Sequence, residues 1–230
     1  MFNKNRYITV FVITIVLFFI AFLLSDKLSN TKINKLKQIQ DKISLDILSI
    51  ETRYSLLENS SCEHVIANQT FEQGLNEELN NLARRVKFME SELGSRNVNV
   101  LQIKQQYNLI QIKDYLLRQD LNGRCGEEIV SILYFHESDC RDCQNQSIVL
   151  DEVAARYPEV RIYWLDRDLE TPAMETLVSM FGVDSAPAVI VNGELTEGLL
   201  TVTAIEEKLP EELVKSYHDQ KEGNSTSTEE

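Results

Sequence analysis

The chain has 230 residues, of which 43% are hydrophobic and 26% charged, with a formal net charge of −13. That balance is globular rather than disordered, and the length allows one ordinary domain with accessories or two small ones. The charge is uneven: +2 over residues 1–24, 14 basic against 13 acidic residues over 25–125, and 7 against 23 over 126–230. A C-terminal part this acidic repels phosphate backbones, which sets nucleic-acid binding aside.

Tyr7 to Leu24 is an uncharged apolar run preceded by Lys4 and Arg6. It reads as an uncleaved signal anchor over residues 1–25, long enough as a helix to span a bilayer core. A cleaved signal peptide is the competing reading, but no small-x-small site follows the run. Lys27, Lys32, Lys35 and Lys37 after it leave the charge rule for orientation ambiguous. The cysteine pattern tips the expectation towards a single-pass membrane protein, N-terminus cytoplasmic and C-terminal domain extracytoplasmic.

Residues 26–125 have the helical period and contain no proline. Leu36, Ile39, Ile43, Ile47, Ile50, Tyr54 and Leu57 form a first stripe, ending near Glu58 to Cys62. Phe71, Leu75, Leu79, Leu82, Val86, Met89 and Leu93 form a second, stopped by Gly94-Ser95. Val100, Ile103, Tyr107, Ile110 and Leu117 mark a third, stopped by Asn122-Gly123. Each stripe needs a partner, so the expectation is a helical coiled-coil stalk or three-helix antiparallel bundle. Homodimerisation through the first helix competes with it. An up-down-up bundle brings Cys62 and Cys125 to the same end, which permits a structural disulfide worth about 4 kcal/mol on the chain-entropy model. Two unrelated thiols are the alternative.

From residue 126 the pattern alternates between strand and helix. Ile129 to Phe135 is a buried strand, Gln144 to Tyr157 a helix, and Val160 to Leu165 a β-branched and aromatic strand. Thr171-Pro172 opens a helix to Phe181 as N-cap and first helical residue. Ala188 to Val191 and Glu194 to Leu200 flank the hairpin dipeptide Asn192-Gly193, and Thr203 to Leu209 is a last helix. The order βαβαββα predicts an α/β domain with a mixed sheet over 126–212, followed by a disordered acidic tail over 213–230.

Between the first strand and its helix stands Cys140-Arg141-Asp142-Cys143. This motif after ILYFHESD, with Ala186-Pro187 before the hairpin strands, Asn192-Gly193 and Gly198, resembles the thioredoxin-like family across about residues 127–210. The resemblance implies that Cys140 is an exposed nucleophile and Cys143 the resolving thiol. It also implies that Pro187 is a cis-proline and that Ala186 offers its backbone to an extended substrate. A helix N-terminus stabilises a thiolate there. Two departures stand out: Asp139 precedes the first cysteine where the family has an aromatic residue, and Tyr134 takes the place of a buried acid. Glu137, Asp139 and Asp142 oppose the thiolate, which predicts a Cys140 pKa near that of an ordinary thiol.

No flavin or nicotinamide signature is present, so no cofactor is expected. Cysteine-histidine spacing fits no standard zinc pattern, so no metal is expected either. The whole reads as a membrane-anchored thiol–disulfide oxidoreductase acting on protein thiols or disulfides, or on a membrane redox partner. The rival is a non-catalytic scaffold whose stalk spaces or oligomerises a thioredoxin-like docking module.

Overall fold

The computed structural model describes residues 4–63, 69–126 and 130–226. His64 and Ile129 fall outside them, as do the side chains at 4–9, 24–33, 69–76 and 220–226, among them Phe71 and Leu75. Residues 1–46 and 47–230 form two compact units.

The first unit is the larger part of helix α1 (Lys4–Glu58). Among the described residues no helix is long and apolar enough to cross a membrane. This corrects the expected transmembrane helix, the signal anchor and the single-pass placement with an extracytoplasmic domain.

In the second unit the end of α1 is joined by α2 (Gln69–Leu93) and α3 (Val98–Cys125). The stripes read from the sequence are the buried faces: Ile47, Ile50 and Tyr54 on α1, Leu79, Leu82, Val86 and Met89 on α2, and Val100, Ile103, Ile110 and Leu117 on α3. Gly94 ends α2 at φ 87°, a left-handed conformation that costs glycine nothing. Asn97 then caps α3 by accepting a hydrogen bond from the Asn99 amide. Cys62 and Cys125 are joined by a disulfide.

Residues 131–206 carry β1 (Ser131–His136), α4 (Arg141–Arg156), β2 (Arg161–Asp166), α5 (Pro172–Phe181), β3 (Ala188–Val191), β4 (Glu194–Glu197) and α6 (Val202–Glu206). The sheet order is β2-β1-β3-β4, with β1 parallel to β2 and antiparallel to β3, and β3 antiparallel to β4. Asn192 and Gly193 both have positive φ, the conformation of the two-residue hairpin turn that joins β3 to β4. Alternation along β1 sends Leu133 and Phe135 into a core with α5, and Ile132 and Tyr134 into a second core with α4 and α6.

Helix α3, read from sequence as stalk, is also a wall of the first core, where Ile112 and Tyr115 pack with Leu133, Phe135, Tyr163 and Leu165. Its polar residues close the outer edge of β2. Gln111 accepts from the Trp164 amide and donates to the Trp164 carbonyl, both at 2.8 Å. Asn108 does the same at Asp166, at 3.4 and 2.9 Å. An edge strand left open invites pairing with another chain; here two side-chain amides satisfy it instead.

The tail expected to be disordered carries helix α7 (Glu211–Thr226). The physical reason is that Leu213, Val214 and Tyr217 share one face and pack on the second core, with Tyr217 against Tyr157 at 5.2 Å.

Candidate active site

Strand β1 delivers the chain to the top of the sheet, and α4 begins at once. Cys140 is the N-cap of α4, with its Sγ accepting from the Cys143 amide at 3.0 Å. The sulfur thus faces the unsatisfied amides and the positive end of the helix dipole. Cys140 and Cys143 are disulfide-bonded, with Cα atoms 5.2 Å apart. Cys140 is half-buried and Cys143 is buried, so an incoming group meets Cys140 first.

The peptide bond between Ala186 and Pro187 is cis. The Ala186 carbonyl oxygen lies 3.8 Å from Cys140 Sγ, which brings the four residues singled out in sequence into one site. The loop carrying them is pinned from β4: Glu197 Oε1 accepts the amides of Asp184 and Ser185, each at 2.7 Å. Those bonds hold the Glu197 carboxyl below the usual range. The loop before Cys140 is pinned in a matching way. Asp168 Oδ2 accepts the Ser138 amide at 2.7 Å, and the Ser138 hydrogen bonds lower the Asp168 pKa.

Beneath the disulfide, Tyr134 donates its hydroxyl to the Cys143 carbonyl at 2.6 Å, and Ser147 donates to the same oxygen at 3.0 Å. Burial raises the Tyr134 pKa, so its phenol is a donor at this position and not a base. Trp164 meets the Tyr134 ring edge-on at 5.3 Å. Gln146, fully buried, accepts the Leu200 amide at 2.7 Å and so ties the segment after β4 to α4.

The acidic surroundings expected to oppose a thiolate are reduced by one. Glu137 pairs with Arg167 at 3.3 Å, while Asp139 and Asp142 are exposed, where solvent weakens their influence. His136, whose ring lies 5.5 Å from that of Tyr134, lies near Asp166, Asp168 and Lys104. Burial lowers its pKa and outweighs the pull of Asp166. Lys104 bridges Asp166 at 2.9 Å and Glu90 of α2 at 3.4 Å, so an ionic chain runs from α2 through α3 to the end of β2.

Sequence reasoning missed Glu197, Asp168, Gln146 and the β2 contacts of α3. Only the last left a trace: Asn108 and Gln111 are three apart, hence on one helix face.

No family model matches the chain, and no curated protein matches it. Among solved structures it is similar to a protein described as "a malarial protein", at 22% identity and TM-score 0.31, over 39% of this chain and 98% of that one. It is similar to chloroplastic thioredoxin z at 21% identity and TM-score 0.31, over 39% of this chain and 83% of that one. Oxidized thioredoxin O1 from Arabidopsis thaliana aligns at 20% identity and TM-score 0.32, over 41% of this chain and 86% of that one.

Proposed function

We propose that the protein is a thiol–disulfide oxidoreductase acting on protein thiols or disulfides, with Cys140 as nucleophile and Cys143 as resolving thiol on a thioredoxin-like domain. The observation that carries this reading is the position of Cys140: a helix N-cap whose sulfur accepts the Cys143 amide and lies against the carbonyl before a cis-proline.

In the reducing direction the Cys140 thiolate attacks one sulfur of a client disulfide. The client S–S bond breaks, a mixed disulfide forms, and the departing client sulfur takes a proton. The Cys143 thiolate then attacks Cys140 Sγ, giving the Cys140–Cys143 disulfide and releasing the second client thiol. Two electrons pass to the client, and the reverse sequence oxidises a client dithiol. Ala186 and Pro187 offer backbone to an extended client segment beside Cys140.

Replacing Cys143 with Ser tests the reading. The variant is expected to accumulate mixed disulfides through Cys140 and to lose insulin reduction, while Cys140→Ser traps nothing. If C143S traps no client and the native dithiol does not reduce insulin, the domain is a docking module and the oxidoreductase reading fails.

A further inference from the structure

The segment from Val183 to Pro187 carries the chain from the end of α5 into β3. Its first residue is anchored: Val183 is buried in the first core and donates its amide to the Val178 carbonyl at 3.0 Å. Its last is anchored too, because the Gly198 amide donates to the Pro187 carbonyl at 2.8 Å. Between these anchors Asp184 and Ser185 are exposed, and their amides both donate to Glu197 Oε1, each at 2.7 Å. The next residue is Ala186, whose carbonyl lies 3.8 Å from Cys140 Sγ. Glu197 reaches this place by strand register, since the hairpin sets it opposite Ala188, the residue after the cis-proline.

Bonds from amides to a carboxylate are charge-assisted and therefore strong ordering contacts. They do little for the fold, because Glu197, Asp184 and Ser185 are all exposed and amides released there find water. What the carboxylate supplies is order in the segment before a client arrives. A client that docks on an ordered segment is spared the cost of ordering it. The thiol is held by other bonds: Cys140 Sγ accepts the Cys143 amide, and Asp168 accepts the Ser138 amide ahead of it.

We propose that Glu197 is a positioning residue for client binding, holding Ala186 and Pro187 in place beside Cys140 through the Asp184 and Ser185 amides. It sets the affinity for an extended client segment and leaves the reactivity of the thiol alone. The proposal rests on the reading of Cys140 and Cys143 as an exchanging dithiol. The test measures steady-state insulin reduction by the full chain with dithiothreitol as reductant, and iodoacetamide alkylation of the reduced chain, followed at the Cys140 peptide. Glu197→Ala is expected to raise KM for insulin about fivefold or more, with kcat and the alkylation rate changed by less than about twofold. Glu197→Gln keeps an oxygen acceptor for the two amides and is expected to restore most of the native KM. Tyr54→Phe, which weakens the fold far from the dithiol, is the control for general loosening and is expected to keep the native KM. An unchanged KM in E197A, or a loss confined to kcat, overturns the proposal. So does an equal rise in Y54F, which would make the effect one of stability. An E197Q as impaired as E197A also overturns it, since the charge and not the held amides would then be what the client meets. A native chain that reduces no insulin removes the oxidoreductase reading and this proposal with it, whereas active native protein with an unaffected E197A removes this proposal alone.

Discussion

Asp114 is fully buried on α3 and gathers partners from three elements. It accepts from Tyr54 of α1 at 3.1 Å, from Tyr163 of β2 at 2.7 Å, from Arg118 one turn on at 3.1 Å and from Arg161 of β2 at 3.3 Å. Burial first, and the Asp114 charge next, push both tyrosine pKa values far up, so the phenols remain donors at any ordinary pH. Removing the carboxylate leaves guanidinium groups buried without their anion, a loss of about 3–5 kcal/mol. Asp114→Ala is therefore expected to lower the urea midpoint far more than Tyr54→Phe, which removes one charged hydrogen bond worth about 1.5–3 kcal/mol. His136 gives a pH dependence with a definite sign. Its folded pKa lies below 6.5, chiefly through burial. The unfolded chain thus binds a proton that the folded chain refuses, and stability falls as pH drops below the ordinary imidazole value. Urea melts between pH 7 and 5 should show that fall, and His136→Asn should flatten it.

Among the elements, α3 does two jobs, and its amides at β2 give a sharp prediction. Gln111→Leu leaves the Trp164 amide and carbonyl without partners, at a cost of about 1–3 kcal/mol, and hydrogen exchange at the Trp164 amide should accelerate relative to that of Leu165. The helices and strands themselves were legible from sequence because a period of 3.6 or 2 marks a buried face, and Thr171-Pro172 and Asn192-Gly193 mark boundaries by local backbone chemistry. The role of α3 was not legible. Asn108, Gln111 and Asp114 look like solvated residues of an amphipathic helix, and only the distant partners at Asp166, Trp164 and Tyr163 reveal a second buried face. The tail failed for a similar reason: Leu213, Val214 and Tyr217 are too few to make a stripe without a receiving core. At the candidate site, the cysteines and Ala186-Pro187 carried recognisable chemistry, whereas Glu197 and Asp168 act on backbone amides, a role that leaves no mark in residue type.

For the molecule as a whole, the Cys62–Cys125 bridge closes a loop of 63 residues around α2 and α3. On the loop-entropy model its loss costs about 4 kcal/mol. The double replacement Cys62→Ser with Cys125→Ser should show that loss in chemical denaturation while leaving the Cys140–Cys143 disulfide in place. A fragment beginning at residue 126 should fare worse, because it lacks Ile112 and Tyr115 from the first core and the amides from β2; it is expected to lack the cooperative transition that the full chain shows by near-ultraviolet circular dichroism.

Closure of β2 by Asn108 and Gln111 also makes the sheet one-sided towards its surroundings. The other margin is β4, four residues long with Glu194 and Glu197 at its ends. Two copies meeting there would share a contact of four residues, and short edge strands are one way in which proteins blunt such pairing. The helix that caps one margin thus faces, across the sheet, a margin whose shortness blunts edgewise pairing between molecules.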